Sequence, residues 1–307
     1  YLDFITLSND QNHVYWLESN NELTIFNFMA APINVGKLLH ENLFNQNIGI
    51  VLTSATLTVN NSFQYFKERT GINILSSNKT ITKIVQSPFA YEEQCLLCID
   101  ENMVLPRTVK DDIYYNTLAG ALSEYILALE GRTLVLFTSH NTLKEIYFRI
   151  KDILEEKDIW LLGHNIDGGR TRLTEQFKNT PRSVLFGSSS FWEGVDLPGD
   201  ILCNVIVIKL PFWPPNMPVI EARLEELTRN GQNAFTHFSL PMAVIRFKQG
   251  FGRLIRSNRD KGSVIIMDKR LITKKYGQIF LNSLPIKTHF RGNTGDIKKK
   301  ITQSLNS

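Results

Sequence analysis

From about Gln94 onward the chain alternates short apolar runs with amphipathic stretches. The runs are QCLLCI, TLVLFTS, IWLLG, SVLFGS, NVIVIKL and SVIIMD. Each is apolar with little alternation, the pattern of a strand buried on both faces. Between them lie segments such as NTLKEIYFRIKDILEEK, whose apolar residues recur at three and four. That is the helical period. The alternation predicts an α/β domain whose largely parallel sheet is flanked by helices. Ahead of it, HVYWLES and ELTIFNF read as strands, VGKLLHENLF as a helix, and an apolar strand ends in VLTSAT at Val51–Thr56. This first part reads as the tail of another domain. The final segment, RGNTGDIKKKITQSLNS, loses strong periodicity, so residues 291–307 read as a polar, frayed or weakly helical tail.

A parallel sheet binds ligands at the carboxyl ends of its strands. That rule directs attention to residues 138–141, 163–170, 188–199 and 211–218. A second pattern lies further on. Residues 241–257 read as one amphipathic helix containing QGFGRLIR. At about 100° per residue, Gln249, Arg253 and Arg256 fall within roughly 60° of one another, opposite Val244, Phe247, Phe251, Leu254 and Ile255. Gly250 and Gly252 flank this polar blade, and each glycine costs a helix interior about 1 kcal/mol relative to alanine. Guanidinium groups bind phosphate in a planar, bidentate manner at any working pH. Glycines beside them admit a bulky partner to the backbone. The expectation is a phosphate-binding face.

Composition narrows the classes. Of 307 residues, 43% are hydrophobic and 21% charged, which suits a folded chain with a real core. A formal charge of +4 permits a polyanionic partner without requiring one. No apolar run approaches the roughly 18 residues of a bilayer span, and YLDFITLSND lacks the features of a signal peptide. A cytosolic protein is expected, with no membrane association. Three cysteines argue against a disulfide framework. Cys95 and Cys98 form a C-x-x-C, yet on a strand their odd spacing sends the thiols to opposite faces. The six histidines show no metal-ligand spacing, so no metal site is expected. No G-x-S-x-G elbow is present.

If the blade meets a nucleotide, a phosphate cradle and a metal-holding acid should accompany it. The stretch beginning at Gly163 has Gly169 where a P-loop needs lysine, so it is no Walker A. Its Arg170 and Arg172 either contact a backbone phosphate or merely turn into the next helix. CLLCIDE resembles a Walker B strand, with Asp100 and Glu101 at its end, but no cradle precedes it. A hydrolase complete within this chain is therefore not expected.

Three ordered stretches resemble one family. Thr53-Ser54-Ala55-Thr56-Leu57 resembles the TSATL motif closing the first motor domain of superfamily two helicases. Ser190–Gly199, SFWEGVDLPG, resembles their fifth motif in the wording of the DinG branch of XPD-like DNA helicases. Gln249–Arg256 fits their sixth, Q-x-x-G-R-x-x-R. The resemblance runs from about His13 to Pro285 and implies a RecA-like second motor domain over residues 79–290. Residues 1–78 are then the end of motor domain one, and the Walker motifs and any iron-sulfur cysteines lie upstream in a longer, bacterial protein.

The resemblance also implies roles. Arg256 is the arginine finger toward ATP, which with Mg²⁺ is held mainly by the opposing domain. Arg253 shares the phosphate, and Gln249 lies near the γ-phosphate or attacking water. Glu193, Gly194 and Asp196 line the same cleft, although Glu193 also suits local loop-holding. Single-stranded DNA is tracked by Thr138, Ser139, His140, Arg170, Arg172, Ser189 and Ser190. Trp192 either packs or stacks on a base. Ser54 and Thr56 couple the two events. A second implied class is a DinG-like exonuclease whose cutting domain lies upstream and which this region regulates.

Overall fold

The computed structural model describes residues 10–20, 22–106, 108–194, 197 and 201–305. Asp196 therefore lies outside the described residues. In chain order the first elements are β1 (His13–Ser19), β2 (Phe26–Pro32), α1 (Val35–Leu39) and α2 (Gln64–Thr70). Next come α3 (Tyr91–Gln94), β3 (Cys95–Asp100), α4 (Asp111–Leu129), β4 (Thr133–Leu136) and α5 (His140–Glu155). Then follow β5 (Trp160–Gly163), α6 (Arg170–Asn179), β6 (Ser183–Gly187), β7 (Asn204–Val207) and α7 (Pro218–Arg229). The chain closes with α8 (Leu240–Phe251), β8 (Gly262–Ile266), α9 (Arg270–Thr273), α10 (Gly277–Asn282), β9 (Phe290–Gly292) and α11 (Thr294–Leu305).

These elements form two compact units. One holds the described residues through Ile84 together with Phe212–Ile245, and the other holds Val85–Pro211 and the chain from Arg246 onward. Within the first, β1 and β2 pair as an antiparallel hairpin. The segment Val51–Thr56 departs from its sequence expectation. It forms no strand, and Val51 is 88% exposed, because no described strand pairs with it. Ser54 Oγ instead accepts a hydrogen bond from the Thr56 amide at 3.2 Å, a local turn contact.

The second unit is built on a seven-stranded sheet in the order β5-β6-β4-β7-β8-β3-β9. Every pairing in it is parallel. Burial explains why these runs were legible: Leu134, Val135, Leu136, Val184, Leu185, Val205 and Ile206 are all fully enclosed. α4 supplies Leu118, Leu122, Tyr125 and Leu129 to the core, and α5 supplies Leu143, Ile146, Ile150 and Leu154. Both sets follow the helical period. Cys95 and Cys98 are buried in β3, and burial pushes both thiols up to about 12, so neither ionises near neutrality.

The C-terminal segment is not a frayed tail. β9 pairs with β3, and α11 buries Ile297 and Ile301, an i,i+4 pair facing the core. Asp100 fastens it. This carboxylate is fully buried and accepts from Tyr125 Oη at 2.5 Å, from Thr294 Oγ1 at 3.1 Å and from the Asn102 amide at 3.0 Å. Burial and the Asp100 charge push the Tyr125 phenol far up, so it remains a donor. Asp100 thus serves the fold, not a metal-holding role. Tyr125→Phe leaves that carboxylate short of a partner and is expected to destabilise the chain by about 1–3 kcal/mol. Urea unfolding of the two proteins measures the difference; an unchanged midpoint would refute the role.

Candidate functional site

Because the strands run parallel, their carboxyl ends share one edge, and the loops after β4, β5 and β6 meet there. The helix carrying QGFGRLIR approaches the same loops but ends earlier than its periodicity suggests. α8 stops at Phe251, so Arg253 and Arg256 project from the turn that follows it and not from a helical face. The reason is burial: Leu254 and Ile255 turn into the core at 2% and 3% exposure, drawing the chain toward β8. Asp260 fixes this turn by accepting from the amides of Arg256 and Ser257 at 2.7 and 2.9 Å and from Ser257 Oγ at 2.6 Å. Partial burial would raise the Asp260 carboxyl, but these hydrogen bonds outweigh it and hold the group below its ordinary value.

Gly250 also has a different task from the one expected. A Cβ there would lie 3.0 Å from both Leu136 and the Trp192 ring, so the glycine lets α8 settle on the indole. No phosphate is needed to account for it.

Trp192 is fully buried, so of its two expected tasks the structure shows packing, with no free ring face for a base. The indole Nε1 donates to the Phe137 carbonyl at 2.9 Å, directly after β4. Above the ring lies the Arg246 guanidinium, 5.4 Å from the centroid, which also donates to the Ser189 carbonyl at 3.3 Å. Arg253 donates to the Trp192 carbonyl at 2.9 Å. From α6, Arg170 donates to the Gly194 carbonyl. The carbonyls of residues 189, 192 and 194 are therefore each drawn by an arginine from outside the loop. Gly194 has φ 66°, a left-handed conformation, and a Cβ would meet the Arg170 guanidinium at 2.8 Å.

The other expected residues divide clearly. Ser139 caps α5, its Oγ accepting from the Thr142 amide at 3.3 Å, while His140, Arg172, Ser189, Ser190 and Glu193 are exposed and Thr138 is half-buried. Arg170 grips the loop through the Gly194 carbonyl. Gln249 is half-buried, and its Oε1 is shut off from solvent with no hydrogen-bond partner among the described residues. Such an acceptor suits a ligand hydroxyl or water. Ser54 and Thr56 belong to the other unit. Among the described residues no group of three or more His, Cys, Asp or Glu side chains could hold a metal ion.

Two residues escaped the sequence reading. Arg246, only 4% exposed, shares the polar stripe of Gln249 on α8, three residues earlier, so the helical period contained the signal. His164, at the end of β5, contacts Ser188 Oγ through Nδ1 at 2.6 Å and meets the Phe191 ring edge-on at 4.9 Å. Burial, and then the nearby His140 and Arg170 charges, lower its pKa. It is a neutral loop support at pH 7.

A family model described as the helicase C-terminal domain matches residues 122–287. The chain belongs to this family. Within it, the DinG- and XPD-like resemblance of the fifth and sixth motifs holds. The 3'-5' exonuclease DinG of Bacillus subtilis (strain 168) is 37% identical over 290 residues, covering 92% of this chain and 30% of that protein. The ATP-dependent DNA helicase YoaA of Haemophilus influenzae is 41% identical over 280 residues, covering 91% of this chain and 41% of that protein. This helicase C-terminal domain chain thus spans under half the length of these relatives. A solved XPD helicase superposes with TM-score 0.64 over 95% of this chain and 50% of that one, at 19% identity. That likeness gives the fold, a RecA-like motor domain with a parallel sheet. No described helix is long and apolar enough to cross a membrane.

Proposed function

We propose that this chain is the second motor half of a DinG-like, ATP-dependent DNA helicase acting on single-stranded DNA. The observation that carries the reading is the meeting of two motifs. The loop Ser188–Gly194 and the α8 end bearing Gln249, Arg253 and Arg256 are joined through the Arg253–Trp192 hydrogen bond of 2.9 Å. In this reading Arg256 is the finger that neutralises charge on the transferring phosphoryl group. Gln249 Oε1 orients the attacking water. ATP and Mg²⁺ are held chiefly by an opposing motor domain of a longer polypeptide, with Glu193 and Gly194 on the near wall of the cleft. Ser54 and Thr56 lie on the coupling segment. The chain alone is expected to hydrolyse no ATP; metal-dependent turnover by the pure chain would overturn that division of labour.

Single-stranded DNA follows the exposed carboxyl edge past Thr138, Ser139, His140, Arg172, Ser189 and Ser190. Hydroxyls, amides and exposed cations there grip phosphates without reading sequence. Arg172 and Arg170 are expected to differ as a result. Arg172→Ala should weaken binding uniformly across sequences and lower the slope of log affinity against log salt by about 0.7, one single-strand phosphate contact. Arg170→Ala should loosen the 188–194 loop, read as faster amide exchange there. Equal salt slopes for wild type and Arg172→Ala would remove that contact.

A second reading takes its cue from a relative, 37% identical, that is named as a 3'-5' exonuclease. Here the same nucleotide and DNA contacts regulate a nuclease domain elsewhere in the polypeptide. Unwinding and strand degradation, assayed side by side on the complete protein with and without ATP, separate the two.

A further inference from the structure

We infer that a small cleft at the carboxyl ends of β4 and β7 is a subsite for one nucleobase of the single strand. The inference rests on the DNA reading above and makes it specific. The cleft has a volume of about 180 Å³ and is lined by Tyr115, Asp111, Thr138, Ser139, Thr142 and Lys209, among others. Ligand pockets for drug-sized molecules run to about 300–1,000 Å³, so this one suits a single ring system and not a nucleoside triphosphate.

Its chemistry selects a base over a phosphate. The Asp111 carboxylate on the rim repels a phosphate, whereas a base edge needs acceptors and donors together. Asp111 and the hydroxyls of Thr138, Ser139 and Thr142 accept; those hydroxyls and the Lys209 ammonium donate. An aromatic wall completes the set. The Tyr115 ring is held by the Arg149 guanidinium, 5.2 Å from its centroid, by the Tyr114 ring at 5.3 Å, and through its hydroxyl by Asn141 Nδ2 at 3.4 Å. A fixed ring gives a base a surface at little entropic cost.

Position adds the link to the strand track. Thr138 and Ser139 line the cleft and stand at the loop edge, so a base turned inward keeps its phosphate on the exposed rim beside His140. Asp111 biases the choice of base: cytosine, adenine and guanine carry an exocyclic amino group for it to accept, and thymine does not. The site takes any base by contact with the ring and disfavours thymine at the Asp111 edge.

The test is a fluorescence titration of the chain with a short oligodeoxynucleotide carrying one 2-aminopurine, beside the same strand with an abasic position and beside homopolymers of dC and dT. Quenching on binding is expected, with the abasic strand bound more weakly and dC preferred to dT by about threefold. Tyr115→Ala should weaken binding about tenfold and abolish the quenching, and Tyr115→Phe should restore both. Thr142→Phe, which fills the cleft from the helix start, should abolish the quenching even if Tyr115→Ala unfolds. Asp111→Ala, which removes the acceptor, should erase the dC preference. Binding with no quenching, an undiminished abasic affinity and no effect of Thr142→Phe overturns the subsite and leaves the DNA reading standing. Absence of any single-strand binding at low salt overturns both.

Discussion

Arg256→Ala, introduced into the complete motor protein, is expected to lower DNA-stimulated ATP turnover by about 10³- to 10⁵-fold while leaving the fold intact. The magnitude follows from the proposed task. A guanidinium aimed at the transferring phosphoryl group stabilises charge that exists only in the transition state, so its loss falls on turnover and not on nucleotide affinity. The fold should survive because the 256 position is fixed by its main chain: Asp260 takes the Arg256 amide at 2.7 Å, and alanine keeps that amide. Arg253→Ala should behave differently. Its guanidinium holds the Trp192 carbonyl at 2.9 Å, so its removal should disturb the loop and impair DNA binding together with turnover. Steady-state turnover with saturating single-stranded DNA, paired with a thermal melt, measures both variants. Near-normal turnover by Arg256→Ala would remove the finger assignment.

Trp192→Ala is expected to destabilise the second unit by about 3–5 kcal/mol. A fully buried indole leaves a large cavity between α8 and the sheet, at the spot where Gly250 allows the closest approach. The Phe137 carbonyl also loses its partner, and the Arg246 guanidinium loses the ring beneath it. Trp192→Phe fills part of the space but not the hydrogen bond, so an intermediate loss of about 1–3 kcal/mol is expected. Urea unfolding followed by far-UV circular dichroism gives the comparison. A base-stacking tryptophan would show the reverse: weaker DNA binding at unchanged stability. That outcome would overturn the packing role.

The sheet was legible because its strands are enclosed on both faces, which forces nearly continuous apolar runs such as TLVLF and SVIIM. Helix α5 was legible for the complementary reason, a single apolar stripe, whereas α4 is buried over much of its circumference and carries little periodicity. What escaped notice was set by distance along the chain. The hydrophobic period of α8 runs on through Leu254 and Ile255, but burial can be met by a turn as well as by a helix. Gly250 looked like room for a phosphate because its true neighbour, Trp192, is remote in sequence. Sequence leaves Arg170 open between a phosphate contact and a turn into the next helix, because the Gly194 carbonyl it grips lies 24 residues away. The C-terminal segment read as polar because, among the α11 residues whose burial is described, Ile297 and Ile301 alone are buried against the core. Of the site, the two motifs were visible as residue patterns, and Arg246 shared the stripe of one; His164 was visible only as a strand-end position.

The Asp100 contacts have a consequence for synthesis on the ribosome. β3 emerges early, yet its sheet neighbours are β8 and β9, and the Thr294 hydroxyl that closes over Asp100 lies 194 residues further on. Until those residues leave the exit tunnel, β3 has two unpaired edges and a carboxylate awaiting one of its donors. The second unit therefore cannot fold vectorially from its amino end, and closing so long a loop predicts slow, late acquisition of the native sheet. A nascent chain stalled before β8 should remain sensitive to protease across β3, and release of the full length should confer protection in a single step.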